Sequence, residues 1–192
     1  MHTKNDNKHL TNIIKKVKAH PVLRGIHYNS DTQKIVACDS HRLLQIKSDE
    51  TISQSFTIDY DTNQLNMQQY PNTERLIPTS GIELTLQSDK ITKDFLQILK
   101  GFKEQTISFK VFDNILQFYT PESLNFYNIS IESIDDTDLM YMNAKYLYET
   151  LLFIFELPNH KVTIIFPESI VRPLLFKTDF YEYLITPIRN KN

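Results

Sequence analysis

The chain reads as an α+β fold, with mostly antiparallel sheets and about three helices packed on them. Three observations predict it. There are 12 Phe and 10 Tyr against no Trp, and β-branched residues recur in short runs, which favours strands. Turn-forming residues punctuate those runs, most clearly at Asn29-Ser30-Asp31-Thr32 and Asp113-Asn114. Three windows instead space their apolar residues as a helix does.

Residues 7–18 predict the first helix, capped by Asp6 or Asn7, with Leu10, Ile13, Ile14 and Val17 on one face. Lys4, Lys8, Asn12 and Lys15 project roughly opposite, with Lys16 and Lys18 on the flanks. Residues 22–28 and 34–47 predict strands joined by the first turn, and residues 51–59 a further strand. A polar stretch over 59–69 then leads to residues 70–78, the expected domain boundary. This places one domain at 1–79 and a second at 80–192.

In the second domain residues 82–86 alternate as a strand, and residues 92–102 read as a helix. Phe95, Ile98, Leu99 and Phe102 form its inner face, while Lys93, Gln97 and Lys100 point outward. Residues 106–112 and 115–119 form a hairpin about Asp113-Asn114, followed by a strand over 125–132. Residues 143–155 are the third helix, with Leu147, Leu151 and Ile154 as its core stripe. Leu152 and Phe153 sit toward its far side. Strands over 161–166, 173–177 and 181–188 close the chain.

Composition excludes several functions. The three glycines, Gly25, Gly81 and Gly101, are isolated, so no glycine-rich loop cradles a phosphate and no nucleotide cofactor is expected. The six histidines show no metal-ligand spacing, and Cys38 has no cysteine partner, so no metal is expected. Adjacent Asp39, Ser40 and His41 suggest a hydrolase. On the strand reading, however, Asp39 and His41 share one face and Ser40 the other, so no triad converges. An enzyme is not expected. No apolar run approaches the roughly 18 residues of a membrane span. With a lone cysteine and no signal peptide, this points to the cytoplasm. The net charge of −2 leaves any contact with DNA to local lysines.

Four runs carry a family resemblance. They are His20-Pro21-Val22-Leu23-Arg24-Gly25-Ile26, Ala37-Cys38-Asp39-Ser40-His41-Arg42-Leu43, Tyr70-Pro71-Asn72-Thr73-Glu74-Arg75-Leu76-Ile77-Pro78 and Tyr183-Leu184-Ile185-Thr186-Pro187-Ile188-Arg189. In this order they resemble the bacterial β sliding clamp, the processivity factor of DNA polymerase III. The resemblance implies the DNA-clamp fold and covers roughly residues 8–189. A clamp domain has two helix-bearing units. By that count the family's whole first domain and the second such unit of its middle domain are expected to be missing.

In the family, residues of these runs surround a cleft that captures short motifs of the Gln-Leu-x-Leu-Phe kind. Carried over run by run, the implied wall is Leu23, Cys38, Ser40, His41, Arg42, Leu43, Pro71, Arg75 and Leu76. Asn143 and Tyr146 join from the third helix, Val171 and Pro173 from a strand, and Thr186, Pro187, Ile188 and Arg189 from the end. Two departures are Cys38, where Thr is usual, and Thr186, where an apolar residue is usual. The implied partners are motif-bearing proteins: a DNA polymerase, a clamp loader and repair proteins. Double-stranded DNA would meet Lys4, Lys8, Asn12, Lys15, Lys16, Lys93, Gln97 and Lys100, and a homo-oligomer would be needed for a ring. The competing reading is a non-encircling clamp mimic that binds the same motifs without sliding on DNA.

Overall fold

The computed structural model describes residues 4–15, 17, 20–132, 135–157 and 160–189. The chain divides into two compact units. One comprises residues up to 75 together with 179–184, and the other comprises 76–178 and the residues from 185 onward.

The first unit begins with helix α1 (Lys4–Ile14), which starts earlier and ends sooner than the expected 7–18. Asp6 is therefore no cap. It lies within the first turn, 4% exposed, and hydrogen-bonds Tyr181. Leu10, Ile13 and Ile14 are fully buried as their spacing requires, whereas Val17 falls beyond the helix.

The expected strand over 22–28 is half a strand. Residues Pro21–Arg24 form a 3₁₀ turn in which Leu23 N–H donates to the His20 carbonyl at 2.9 Å. Pro21 has no N–H to offer a ladder and its fixed φ suits a helical start. Strand β1 (Gly25–Asn29) follows. The expected strand over 34–47 is instead a hairpin, β2 (Lys34–Cys38) and β3 (Arg42–Lys47), and that over 51–59 shortens to β4 (Phe56–Asp59). The hydrogen-bonded order in this unit is β4-β1-β2-β3-β12, where β12 (Tyr181–Ile185) supplies the returning residues.

Pairing places His27 opposite both Thr57 and Val36, and Val36 opposite Gln45. Cys38 and Leu43, paired to each other, share that face because side chains alternate. Ile35, Ala37, Leu44 and Ile46 occupy the other face and are buried with the apolar stripe of α1, which packs on β1, β2 and β3. Burying each Leu or Ile among them stabilises by about 1.5–3 kcal/mol.

The second unit contains β5 (Ile82–Gln87), α2 (Lys93–Gly101), β6 (Thr106–Phe112), β7 (Ile115–Tyr119) and β8 (Asn125–Ser130). It continues with β9 (Met140–Asn143), α3 (Ala144–Phe155), β10 (Lys161–Phe166) and β11 (Leu174–Lys177). Its ladders run β8-β7-β6-β9 and β11-β10-β5, and α2 packs on α3.

Strand β9 has no counterpart in the sequence reading. Only its last residue, Asn143, falls in the expected helical window, and residues 140–142 are assigned to no element by the sequence reading. In α2 the inner face is Phe95, Leu96 and Leu99, while Ile98 is 41% exposed, so the expected inward Ile98 is corrected to Leu96. In α3 Phe153 is buried rather than on the far side, leaving Leu152 half-buried. The strands expected at 173–177 and 181–188 shorten to β11 and β12, so Pro173 and residues 186–188 lie outside strands.

Asp113 and Asn114 both adopt positive φ, 50° and 59°, the geometry of the tight turn expected there. Thr92 caps α2 by accepting from Phe95 N–H at 3.1 Å, and its hydroxyl also bonds Tyr127 at 2.9 Å. Gly81 sits at φ +151°, and a Cβ there would lie 2.2 Å from the Phe166 carbonyl oxygen. Gly81→Ala is expected to destabilise the chain by about 1–3 kcal/mol, the usual scale for a strained backbone site. Urea denaturation would show it, and an unchanged midpoint would mean that β5 and β10 separate at no cost.

Candidate functional site

The first unit builds one set of candidate wall residues from a turn. Asp39 Oδ1 accepts from the backbone N–H of His41 at 3.0 Å and of Arg42 at 2.8 Å. Its other oxygen takes Nε and an Nη of Arg42 at 2.9 and 2.6 Å. Ser40 is at φ 74°, a conformation such side-chain bonds to the backbone help to hold. So residues 39–41 are not strand, which corrects the basis of the facing argument above. Asp39 is committed to the turn and to Arg42, an arrangement that holds no catalytic triad.

The turn sorts its residues by exposure. Ser40 and His41 are exposed, while Cys38, Arg42 and Leu43 are buried, as is Leu23. Burial pushes the Cys38 thiol up from its ordinary value, so it packs as a neutral group. Pro71 and Arg75 are exposed on the connector.

That connector is anchored by a polar cluster the sequence reading missed. Lys34 Nζ donates to Glu182 at 2.8 Å, to Glu74 at 3.1 Å and to Gln45 Oε1 at 3.0 Å. Gln45 Nε2 donates in turn to Thr73 Oγ1 at 2.9 Å and Glu74 Oε1 at 2.8 Å. Burial pulls the Lys34 pKa down, but the hydrogen bonds to Glu182 and Glu74 outweigh it and the net shift is upward. The signal was present: Gln45 interrupts the apolar run Leu43-Leu44-Gln45-Ile46, and Lys34 opens a buried strand.

A second anchor is the stack of Tyr70 on His27, with centroids 4.4 Å apart and planes 1° from parallel. His27 Nδ1 shares a hydrogen bond of 2.9 Å with Thr57 Oγ1. Burial lowers the His27 pKa and raises that of Tyr70.

In the second unit Asn143 spends its side-chain oxygen capping α3, accepting from Lys145 and Tyr146 N–H at 3.0 and 3.2 Å. Tyr146 is half-buried in the first turn, and Lys145 leans toward Glu149 at 3.7 Å. Ile188 N–H donates to the Tyr141 carbonyl at 2.8 Å, which ties the residues after β12 to the strand leading into α3. Thr186 and Pro187 are half-buried there, and Arg189 is exposed. Val171 and Pro173 lie in the turn before β11, where Arg172 N–H donates to Ser169, which corrects their assignment to a strand. Leu76, Val171 and Ile188 are exposed, at 42, 49 and 37%, as are other large apolar side chains such as Leu65 and Leu124.

Of the lysine-bearing faces, Lys8, Lys93, Gln97 and Lys100 are exposed. Lys15 follows α1 and donates to Asn12 at 2.7 Å. Lys16 and the side chain of Lys4 lie outside the described residues. Among the described residues no group of three or more His, Cys, Asp or Glu could hold a metal ion, and no helix is long and apolar enough to cross a membrane.

No protein-family model matches the sequence, and no curated protein does. Solved structures do match. The DNA polymerase sliding clamp of Bacillus subtilis aligns at TM-score 0.74 and 19% identity, over 97% of this chain and 62% of its own. The DNA polymerase III beta chain of Streptococcus pneumoniae aligns at 0.71 and 23%, over 96% and 62%. The chain has the sliding-clamp fold. The Helicobacter pylori beta clamp bound to a DNA ligase peptide aligns at 0.73 and 16%, over 97% of this chain and 63% of its own. The chain thus spans under two thirds of the length of these clamps. The hairpin turn at Asp39–Arg42, the anchored connector and the capped start of α3 are local frames that present candidate residues.

One prediction concerns His27. Its folded pKa lies below the ordinary 6.5, so the unfolded chain binds the proton more readily. Its contribution to stability is full above that value and is lost as pH falls through the folded pKa. His27→Phe keeps a ring for Tyr70 but cannot titrate. Urea midpoints at pH 7 and pH 5 should fall more for the native chain than for this variant. An equal fall would assign the acid sensitivity elsewhere.

Proposed function

We propose that this chain binds short clamp-binding motifs of the Gln-Leu-x-Leu-Phe kind and serves DNA replication or repair as a sliding-clamp-like processivity factor. One observation carries the reading. Leu76, Val171 and Ile188, three large apolar residues exposed to solvent, stand at positions the family resemblance assigns to the motif pocket. The fold supports it, because a beta clamp of this fold has been solved with a DNA ligase peptide. The protein acts by binding and not by catalysis, needs no metal or cofactor, and works in the cytoplasm. Its partners are a DNA polymerase, a clamp loader and repair proteins that carry the motif.

In this reading the exposed apolar side chains receive the Leu and Phe of the motif, each contributing about 1.5–3 kcal/mol if fully buried. Leu23, Cys38, Leu43, Pro71, Pro173 and Pro187 shape the apolar wall. The pair Asp39–Arg42 holds Ser40 and His41 outward for polar contacts, with Arg75, Asn143, Tyr146, Thr186 and Arg189 as further polar groups. Fluorescence anisotropy with a labelled Gln-Leu-x-Leu-Phe peptide tests the site. Leu76→Ser, at an exposed position, is expected to weaken binding about tenfold or more, the equivalent of 1.4 kcal/mol. If the folded native chain does not bind the peptide, the reading is wrong.

DNA contact is the second part of the proposal. Lys8, Lys93, Gln97 and Lys100 are exposed on α1 and α2 and would meet phosphates without reading sequence, with Lys4, Asn12, Lys15 and Lys16 completing the α1 set. A ring requires self-association. The alternative is a non-encircling mimic that competes for or recruits clamp-binding proteins, and it draws on the first unit holding one α-helix, among the described residues, where the second holds two. Retention on nicked circular DNA, lost when the circle is linearised, is the expected behaviour of a ring. Release from both forms alike, with peptide binding intact, selects the mimic.

A further inference from the structure

Only Lys145, Glu149 and Thr150 of the twelve residues of α3 are neither aliphatic nor aromatic. A helix apolar on nearly every side expects cover on every side, yet here the cover is incomplete. Leu147, Leu151, Phe153 and Ile154 are buried, while Tyr148, Leu152 and Phe155 stay half-buried. These three, at i, i+4 and i+7, form one wall of a groove of about 180 Å³, and Lys93, Leu96, Gln97 and Lys100 of α2 form the other. We propose that this groove docks an acidic amphipathic helix of a partner protein. The site lies wholly within the second unit and does not rest on the motif-binding reading above.

Shape selects a helix. Lys93 and Lys100 stand at i and i+7 on α2, as Tyr148 and Phe155 do on α3, so each wall is two turns long. That is ~10 Å at a rise of about 1.5 Å per residue. A furrow lined along two packed helices accepts the ridge of a third, whose apolar side chains recur at i, i+3 or i+4 and i+7. Leu96, 6% exposed, is the floor on which that ridge would rest.

Charge selects an acidic one. No Asp or Glu lines the groove, whereas Lys93 and Lys100 do, both exposed. Among the described residues neither lysine is held in an ion pair. Lys103, just beyond α2, adds a third cation 4.8 Å from the centroid of the Tyr148 ring. Glu149, next to Tyr148 in the chain, leans instead toward Lys145 at 3.7 Å. Carboxylates flanking the apolar stripe of an incoming helix meet these lysines and fix its register. Duplex DNA would also meet them through its phosphates, but it offers no apolar side chains for Leu96, Leu152 and Phe155. Protein therefore matches the whole groove and DNA only its rim.

The probe is a labelled synthetic helix of about four turns, ~14 residues, with leucines at i, i+4 and i+7, glutamates flanking them and alanines elsewhere. Anisotropy on the native chain compares it with a scramble of the same composition, whose leucines share no face, and with a version carrying lysine for glutamate. The acidic helix is expected to bind about tenfold or more tightly than either. Lys100→Glu, at an exposed position, and Leu152→Gln should each weaken it about tenfold, with circular dichroism checking that both variants fold. Should Leu152→Gln unfold, Lys100→Glu and the scramble decide between them. Equal binding of the scramble means attraction by charge alone, and equal binding of the lysine version means attraction by apolar surface alone. Either result overturns the inference, as does binding that a folded variant leaves unchanged. If the acidic helix does not bind, the inference falls, and a duplex oligonucleotide that binds the native chain but not Lys100→Glu would assign the face to nucleic acid.

Discussion

One buried ammonium organises the first unit. Lys34 stands at 16% side-chain exposure between Glu182 and Glu74, and so joins strand β2, the connector and the returning strand β12 through a single group. An ion this buried is costly unless it is closely paired and hydrogen-bonded. Here two carboxylates and the Gln45 amide supply the partners, and the net upward shift of the Lys34 pKa shows that pairing wins over desolvation. Such a cluster is weak evidence for stability, since a well-packed apolar group often does as well. Its value lies in geometry. Thr73 and Glu74 are fixed by side-chain bonds, and Arg75 and Leu76 follow immediately in the chain.

Much of the fold was legible because it follows from periodicity. The helical stripes at Leu10, Ile13 and Ile14 and at Leu147, Leu151 and Ile154 are buried as their spacing demands. The turn at Asp113-Asn114 is set by residues that tolerate positive φ. What failed was local chemistry that overrides the pattern. The run from Lys34 to Lys47 was read as one strand, although the polar residues Asp39-Ser40-His41-Arg42 divide its apolar residues at the break. It is made by one carboxylate binding two backbone N–H groups and an arginine. Pro21 likewise diverts the chain into a 3₁₀ turn. Leu96 and Ile98 flank the line of Phe95 and Leu99 on opposite sides at about 100° per residue, so spacing alone does not tell which of the two turns inward.

The candidate site was legible as a list and not as a geometry. Through the resemblance the residue runs supply a list of candidates, but they could not tell which members carry free surface. The structure separates them. Leu43 and Arg42 are 2 and 3% exposed, while Leu76, Val171 and Ile188 remain open. The cluster about Lys34 lay outside every run that carried the resemblance except at Thr73 and Glu74. Its other members, Lys34, Gln45 and Glu182, are polar residues at strand positions, and only pairing in space gives them a common role.

These features bear on how a loop can bind tightly. Ordering flexible groups on binding costs free energy that contact must offset, roughly 0.5–1.5 kcal/mol for each immobilised long side chain. A connector already fixed at Tyr70 by stacking on His27, and at Thr73 and Glu74 by hydrogen bonds, has met much of that cost during folding. Its exposed residues between and beyond those anchors, Pro71, Arg75 and Leu76, are then presented in nearly fixed positions. Preorganisation of this kind lets a short apolar motif bind with few contacts. On the peptide-binding proposal it also confines selectivity to what the anchored stretch displays, that is, to side chains on the connector rather than to the buried sheet beneath it.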